Sequence, residues 1–258
     1  IAYFSAPFKS KFGVPRQSGV VKGLRGKIRF EEEYVKEEAL RGLEDFEYVW
    51  LIWEFSMNES GNSLTVRPPR LGGNEKVGVF ASRSPFRPNR LGLSCVKLLS
   101  VDSEKGVLEV SGADLADHTP IFDIKPYVAY CDAHPDAKCG FVDDKEWKLF
   151  DVIPSCLEID RKLADTFSRE EIDALFEVLA QDPRPQYHKK SNPSRSYGLL
   201  FYDKDVKFHV EDDTVVWQHS LSFVQAAIEA GKPLDYFPYP LDKHNRTGAA
   251  KLHLYEKI

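Results

Sequence analysis

The chain has 258 residues, of which 42% are hydrophobic and 29% are charged, a composition typical of a globular protein with one large domain or two modest ones. No run of 18 apolar residues is present, so we expect no membrane-spanning helix. The four cysteines form no C-x-x-C pair, and the first residues lack the build of a signal peptide. We therefore expect a reducing compartment, the cytosol.

Positive charge is concentrated in two segments, although the formal net charge of the whole chain is −5. Residues 1–30 hold seven Lys or Arg and no acid, and residues 61–97 hold seven more against the single acid Glu75. Two such segments form either one basic face for nucleic acid or a pair of solvated loops. Charge alone does not decide between these interpretations.

The first half of the chain is predicted to consist mainly of short strands. β-rich runs separated by Gly and Pro occupy residues 1–4, 48–55, 76–81, 93–101 and 107–111. Residues 48–55 are apolar nearly throughout, so we expect this strand to be buried on both faces. Apolar positions in 34–43 recur at helical spacing and predict a short helix. Many strands and few helices favour an all-β barrel or sandwich for residues 1 to about 150.

The second half has a different texture. A capping box from Ser168 to Glu171 opens a predicted helix over residues 169–181. Further elements are predicted as strands at 197–202, 204–210 and 214–218, a turn at Asp212-Asp213, and a final helix at 223–230. We therefore divide the chain into a β-barrel domain, 1–154, and a small α+β domain with an irregular tail, 155–258.

Several common sites are absent from the sequence. It contains no G-x-G-x-x-G after a strand, no phosphate-binding G-x-x-x-x-G-K-[ST], no H-E-x-x-H and no G-x-S-x-G. The spacing Cys131-x2-His134-x4-Cys139 lacks a clear fourth ligand, so no metal site is predicted. An enzyme with this sequence uses one of the less common scaffolds.

Two loops are dense in residues that suit recognition. Residues 80–94 combine Arg83, Arg87 and Arg90 with two prolines and a glycine, which describes either a rigid loop for an anionic or aromatic group or a well-made turn. Residues 114–127 mix carboxylates, a hydroxyl and a lysine with β-branched residues. Asp123 and Lys125 share a strand face there, and we expect them to form a partly buried ion pair at a barrel corner.

These loops resemble motifs of the TrmO (TsaA-like) family. Residues 80–94 are similar to the signature F-A-[TS]-R-S-x-F-R-P-N-x-[IL]-G-x-S, and residues 117–127 resemble D-G-T-P-x-x-D-I-K-P-Y. Three further similarities are F-x-V-P-R-Q at 12–17, R-G-L-E-x-F at 41–46 and L-A-Q-D-P-R-P-x-Y at 179–187. The resemblance covers nearly all of the chain up to about residue 210.

The resemblance implies a closed, mostly antiparallel β-barrel with a small C-terminal domain, two associated chains, and S-adenosylmethionine bound near the signature loops. The family's cofactor contacts carry over to Pro15, Arg16, Gln17, Ser56, Met57, Arg83, Leu93, Asp117, His118, Thr119 and Pro120. Two departures bear on these contacts: His118 replaces the usual glycine, and Ser56-Met57 replaces a pair that is often His-Gln.

The resemblance also implies the reaction, methylation at N6 of threonylcarbamoyl-adenosine next to the anticodon of tRNA. Arg67, Arg70, Arg87 and Arg90 are the candidates for phosphate or for the threonyl carboxylate. No general base is identified. The alternatives are a methyltransferase with another acceptor, and a barrel that binds RNA or S-adenosylmethionine without catalysis. His118 is the sequence feature that favours the last.

Overall fold

The computed structural model describes residues 1–59, 63–143, 148–154, 157–185, 195–211 and 214–219. A closed barrel occupies the first half and a four-stranded sheet with two helices occupies the second. This arrangement confirms the predicted fold class. The predicted turn at Asp212-Asp213, the helix at 223–230 and the tail lie outside the described residues, and the division between residues 154 and 155 stays a prediction.

The barrel is closed by six strands, all paired antiparallel in the order β1-β2-β7-β6-β3-β8. Its strands are β1 Ala2–Ser5, β2 Arg25–Phe30, β3 Tyr48–Glu54, β6 Leu91–Asp102, β7 Val107–Ser111 and β8 Thr119–Pro126. Two short strands between β3 and β6, β4 Thr65–Val66 and β5 Val77–Gly78, pair only with each other. Closure leaves none of the six barrel strands with an unpaired edge.

Alternation along each strand explains why these residues close around a core. In β3, Val49, Leu51 and Trp53 are buried in the barrel, while Trp50 and Ile52 lie on the outer face and are half-buried. The prediction that both faces of this strand are buried is wrong. Its apolar residues on the outer side are two aromatic rings and one isoleucine, which remain partly exposed because no complete second layer covers the barrel wall.

Two other predicted elements differ from the structure. The helix predicted at 34–43 is reduced to one turn, α1 Glu37–Leu40, between 3-10 turns at Glu32–Tyr34 and Leu43–Asp45. Gly42 has φ 84°, a left-handed conformation that a helix cannot continue through. The strand predicted at 76–81 is only β5, followed by a 3-10 turn at Val79–Ala81 that opens the signature loop.

The second half forms a sheet with the order β10-β11-β12-β9, in which β9 and β12 are parallel. Its elements are β9 Asp151–Pro154, α3 Leu157–Thr166, α4 Arg169–Ala180, β10 Tyr197–Phe201, β11 Lys204–Glu211 and β12 Thr214–His219, while a short α2 Ala129–Asp132 follows the barrel. The capping box is present, because Ser168 accepts from the Glu171 amide and Glu171 accepts from the Ser168 amide. Among the described helices, none has the length and apolar character needed to cross a bilayer.

The connection between β1 and β2, residues 6–24, is here called the linking segment. It belongs to the barrel by sequence, but Phe8, Val21 and Leu24 are buried in the core of the second half. Phe8 packs on Phe201 with ring centroids 5.4 Å apart, and Phe12 is stacked on Phe208 at 6.2 Å. The two halves of the chain are therefore joined by hydrophobic burial as well as by the peptide chain.

A buried ion pair in the second half also meets the linking segment. Arg184 donates from Nε to Asp182 Oδ1 at 2.7 Å and from Nη2 to Oδ2 at 3.1 Å, and the two side chains are 7% and 1% exposed. The Asp182 carbonyl accepts from Arg16 Nη2 at 3.4 Å. The turn that follows α4 thus contacts the part of the linking segment that contains Pro15, Arg16 and Gln17.

Gly26 provides a test of the packing inside the barrel. A Cβ at this position of β2 would lie well inside van der Waals contact with the buried Phe4 ring. Gly26→Ala should lower the free energy of unfolding by about 1–3 kcal/mol, as overpacking does, when measured by urea denaturation. Gly78→Ala is the matched control, because a Cβ there meets no atom within 4 Å. Equal stability of the two variants would contradict this account of the core.

Asp182 provides a test of the buried ion pair. Asp182→Asn keeps the shape and tolerates the left-handed backbone, φ 47°, but leaves the Arg184 guanidinium buried without its counter-charge. We expect a loss of about 3–5 kcal/mol in the free energy of unfolding. Asp173→Asn, which removes an exposed pair with Arg169 at 3.1 Å, should cost less than about 1 kcal/mol. A similar small loss for both variants would show that the Asp182 pair is dispensable.

Candidate functional site

Four of the predicted recognition segments leave the barrel at the same end. Neighbouring strands are antiparallel, so the ends of β1, β3 and β7 lie beside the starts of β2, β6 and β8. The linking segment, residues 55–58, residues 82–90 and residues 112–118 all connect strands at this end, which we call the loop end. Segments that are up to a hundred residues apart in sequence are brought together there.

The most direct contact between these segments joins Gln17 to Arg83. Arg83 Nη1 donates to Gln17 Oε1 at 2.7 Å, and Gln17 Nε2 donates to the Arg16 carbonyl at 2.6 Å. Pro15 is buried, whereas the Arg83 side chain is largely exposed. The guanidinium has five N–H groups, so it can hold Gln17 and still present donors to an anion.

The signature loop, residues 80–94, is held in place by hydrogen bonds and an ion pair of its other two arginines. Arg87 Nη1 donates to the Ser82 carbonyl at 3.1 Å, within the loop. Arg90 pairs with Glu54 at 2.6 Å and donates to the Asn58 carbonyl at 3.0 Å. These contacts hold the loop in one shape, as both a rigid recognition loop and a well-made turn require. They engage two arginines that were predicted to bind the substrate.

Three other predicted cofactor contacts, Ser56, Met57 and Leu93, flank this loop. Ser56 and Met57 follow β3 and are exposed, Met57 by 40%, next to the Arg90 contact. Leu93 lies opposite Ile52 on the outer face of the barrel and is 60% exposed. Met57 and Leu93 therefore place exposed apolar surface near the loop end of the barrel. Arg67 and Arg70 lie further along the excursion between β3 and β6, where Arg70 Nη1 donates to the Val142 carbonyl at 3.0 Å.

The motif at residues 117–127 mainly supports the barrel through its side-chain hydrogen bonds. Asp117 Oδ1 accepts from the Ala6 amide at 3.0 Å, and Thr119 Oγ1 donates to the Ala116 carbonyl at 2.7 Å. Pro120 lies opposite Tyr3 on β1. The Asp117 side chain braces the start of the linking segment, and the Thr119 side chain braces the turn before β8. This motif therefore contributes a shaped backbone to the loop end.

His118 has a left-handed backbone, φ 58°, which explains why glycine is the residue expected at this position. Its amide donates to the Phe4 carbonyl at 2.8 Å, and its side chain is 89% exposed. The imidazole therefore faces solvent without altering the turn. The replacement of glycine costs about 1 kcal/mol of backbone strain and leaves the path of the chain intact.

The ion pair predicted between Asp123 and Lys125 is present but is not buried. Lys125 Nζ lies 3.8 Å from Asp123 Oδ2, and the side chains are 63% and 51% exposed. The expected partial burial is wrong because both residues point to the outer face of β8. An exposed pair of this kind contributes little to stability.

Ser94 and Asp114 were not among the predicted site residues. The structure places them behind the Gln17–Arg83 contact. Trp53 Nε1 donates to Ser94 Oγ at 2.9 Å, and Ser94 Oγ donates to Asp114 Oδ1. Burial raises the pKa of the Asp114 carboxyl, although hydrogen bonds from Ser94 and the Ser18 amide act in the opposite direction. The sequence signal for them was their place in the two recognition segments, since Ser94 ends residues 80–94 and Asp114 begins residues 114–127.

Part of the positive charge in the two basic segments is paired with carboxylates. At least five of their fourteen cations are paired with carboxylates, at distances from 2.6 to 3.2 Å, in the pairs Lys9–Asp203, Arg25–Glu170, Lys27–Glu109, Arg90–Glu54 and Lys97–Glu47. A cleft of about 530 Å³ beside the loop end is lined by cations and by Glu170 and Asp173 of α4. The paired cations are still 36–56% exposed, so one basic face and two solvated loops both stay predictions.

Cys131, His134 and Cys139, which follow β8, are all described, and they form no metal-binding arrangement. Within the described residues, no group of three or more potential ligands is close enough to hold a metal ion. Cys131 Sγ lies 3.4 Å from the Val128 carbonyl, and Cys139 Sγ lies 3.5 Å from the Ala137 carbonyl. Both thiols contact backbone in their own turns.

Comparison with known proteins places this architecture in a family. The sequence model of the tRNA-methyltransferase O N-terminal domain matches residues 3–133, and that of the TrmO C-terminal domain matches residues 158–219. The chain is 39% identical to the tRNA (adenine(37)-N6)-methyltransferase of Escherichia coli over 217 residues, which cover 82% of this chain and 92% of the relative.

Two comparisons with proteins of Pseudomonas aeruginosa agree with this. The chain is 41% identical to a protein named putative S-adenosylmethionine-dependent methyltransferase RcsF, over 81% of this chain and 90% of the relative. The crystal structure of TrmO from the same organism matches with a TM-score of 0.67 and 32% identity, over 85% of this chain and 95% of that one. With the closed barrel, the motif segments at its loop end and matches to both domains, the chain belongs to the TrmO family.

Proposed function

We propose that this protein transfers a methyl group from S-adenosylmethionine to N6 of threonylcarbamoyl-adenosine, next to the anticodon of tRNA. The observation that carries the proposal is the contact between Arg83 and Gln17 at the loop end, where four motif segments meet. The names of the Escherichia coli and Pseudomonas aeruginosa relatives support a tRNA adenine-N6 methyltransferase that uses this cofactor. The threonylcarbamoyl requirement rests on the family resemblance of the motifs.

The residues at the loop end suit the chemical parts of S-adenosylmethionine. Its amino-acid carboxylate calls for a cation, which the exposed guanidinium of Arg83 provides. Its adenosine and sulfonium carbons call for apolar surface, and Met57 and Leu93 are 40% and 60% exposed there. Backbone groups of the second motif, in the left-handed turn at His118, are available to the rest of the cofactor.

The chemistry places modest demands on the protein. S-adenosylmethionine supplies an electrophilic methyl group, and the acceptor nitrogen displaces its sulfur in line. The protein has to orient the two groups and exclude water from them. The N6 nitrogen of threonylcarbamoyl-adenosine lies between a purine ring and a carbonyl, so its proton is more acidic than that of an amine. The assignment therefore requires no strong general base.

The substrate also carries a threonyl carboxylate, which an arginine can bind with two parallel hydrogen bonds. We propose Arg67, Arg70, Arg87 and Arg90 for this carboxylate and for tRNA phosphates. Arg87 and Arg90 already hold loop carbonyls, but each keeps further N–H donors. Their internal contacts would fix the direction of those donors before the substrate binds.

The arrangement at His118 supports catalysis over a binding-only barrel. The histidine was the sequence feature that favoured loss of activity, and its side chain is 89% exposed while its backbone keeps the turn that glycine would adopt. We further propose, from the family resemblance, that two copies associate and that the enzyme acts in the cytosol.

Arg83→Ala tests the assignment of the cofactor. We expect it to weaken S-adenosylmethionine binding by about 1–3 kcal/mol in a calorimeter, the scale for losing a charge-assisted hydrogen bond. Arg29→Ala is the matched control, since Arg29 is an exposed arginine of β2 near the opposite end of the barrel. Unchanged affinity in the Arg83 variant would remove this residue from the cofactor site.

The acceptor is tested with two preparations of tRNA. Normal tRNA should accept labelled methyl groups readily, while tRNA from cells that cannot make threonylcarbamoyl-adenosine should accept essentially none. The unmodified adenine amine donates its lone pair into the ring and would need a base to remove its proton. Nucleoside mass spectrometry locates the label. Equal incorporation into both preparations would favour a methyltransferase with another acceptor.

A further inference from the structure

The Asp114 carboxylate is joined to the inside of the barrel by a chain of hydrogen bonds. Trp53 Nε1 donates to Ser94 Oγ at 2.9 Å, and Ser94 Oγ donates to Asp114 Oδ1. Ser94 is fully buried, and Trp53 is 5% exposed. This side of the carboxylate is fixed by the wall of the barrel, because both donors belong to paired strands.

The same carboxylate also contacts the linking segment. The Ser18 amide favours the charged form of Asp114, and Ser18 directly follows Gln17. Backbone hydrogen bonds hold the linking segment against the barrel close by in the chain, from the Gly19 amide to the Gly112 carbonyl at 2.8 Å and from the Gly112 amide to the Leu24 carbonyl at 3.0 Å. Asp114 therefore lies where the linking segment meets the barrel, beside the residues that follow Gln17.

Arg83 completes the arrangement from a third segment. Its guanidinium attracts the Asp114 carboxylate electrostatically, while its Nη1 donates to Gln17 Oε1 at 2.7 Å. A partly buried carboxylate opposite an arginine is attracted more strongly than an exposed one, because less water screens the charges. The carboxylate is thus hydrogen-bonded to the barrel wall, and groups of the linking segment and of the signature loop favour its charged form.

We propose that Asp114 is the positioning residue that holds Gln17 against Arg83 and thereby sets the affinity for S-adenosylmethionine. The link to the cofactor rests on the function proposed above. Burial raises the pKa of this carboxyl, which agrees with a group placed behind the contact surface. Asp114 acts through its two neighbours and has no role in the transfer step itself.

The first measurement needs no cofactor. Asp114→Asn keeps the shape but removes the charge and replaces one acceptor oxygen by a donor. Amide hydrogen exchange at residues 16–18 of the ligand-free variant should be about tenfold faster than in the wild type. Asp123→Asn, the loss of an exposed carboxylate on β8, should leave exchange at these residues unchanged. Equal exchange in the Asp114 variant and the wild type would overturn the proposal, whatever the activity.

The second measurement compares binding with turnover. Asp114→Asn should weaken S-adenosylmethionine binding about tenfold, while kcat at saturating cofactor stays within about twofold, because only positioning is lost. In a double-mutant cycle, Asp114→Asn is introduced into the Gln17→Ala variant. It should weaken S-adenosylmethionine binding by less than about a further twofold there. Faster exchange with unchanged cofactor affinity, or fully additive losses, would refute the positioning role.

Two further outcomes remain decisive. If Asp114→Asn does not fold, Ser94→Ala removes one donor from the same carboxylate and should accelerate exchange at residues 16–18 by about threefold; no acceleration would overturn the proposal. A wild-type protein that binds no S-adenosylmethionine would refute the proposed function and, with it, the affinity role given to Asp114. The amide hydrogen exchange measurement would still decide whether the Asp114 carboxylate holds the linking segment.

Discussion

The site depends on one constraint: the linking segment is part of two hydrophobic cores at once. Its ends are fixed by β1 and β2 of the barrel, while Phe8, Val21 and Leu24 are buried against the second half of the chain. Residues 15–17 lie between these anchors. Their position is therefore set by burial of apolar surface on both sides, with Arg16 contacting the Asp182 carbonyl as a further restraint.

This constraint gives the second half of the chain a role in the geometry of the loop end. The turn after α4 carries the buried pair of Asp182 and Arg184, and a buried pair tolerates little displacement because each charge relies on the other. The sheet behind it supplies Phe201 and Phe208, on which the rings of the linking segment pack. A small domain without predicted site residues thus supports the residues proposed to bind the cofactor.

Much of the fold could be predicted from sequence because strand and cap patterns are local. Residues 107–111 were predicted to be a strand, and β7 has these bounds; the helix over 169–181 begins at its predicted capping box. The helix predicted at 34–43 is reduced to one turn because Lys36 is extended before it and Gly42 is left-handed after it. Packing of the linking segment against the second half was beyond prediction, since no local pattern records which distant core receives Phe8.

The site was predicted unevenly for a similar reason. Motif resemblance found Gln17 and Arg83, which the structure brings into contact. It could not show that the Asp117 and Thr119 side chains are occupied in bracing the barrel, or that Arg87 and Arg90 hold loop carbonyls. Ser94 and Asp114 escaped selection because their importance lies in a tertiary hydrogen bond between residues 20 positions apart.

The position of the linking segment in the chain has a consequence for synthesis on the ribosome. The barrel strands are complete at Pro126, whereas the strands that bury Phe8 and Phe12 span residues 197–211. Domains fold from the N-terminus as the chain emerges, so the barrel can close while its loop end still lacks its packing against the second sheet. The loop end of the nascent protein is then the last part to mature, and apolar side chains near its N-terminus stay exposed until the second sheet forms.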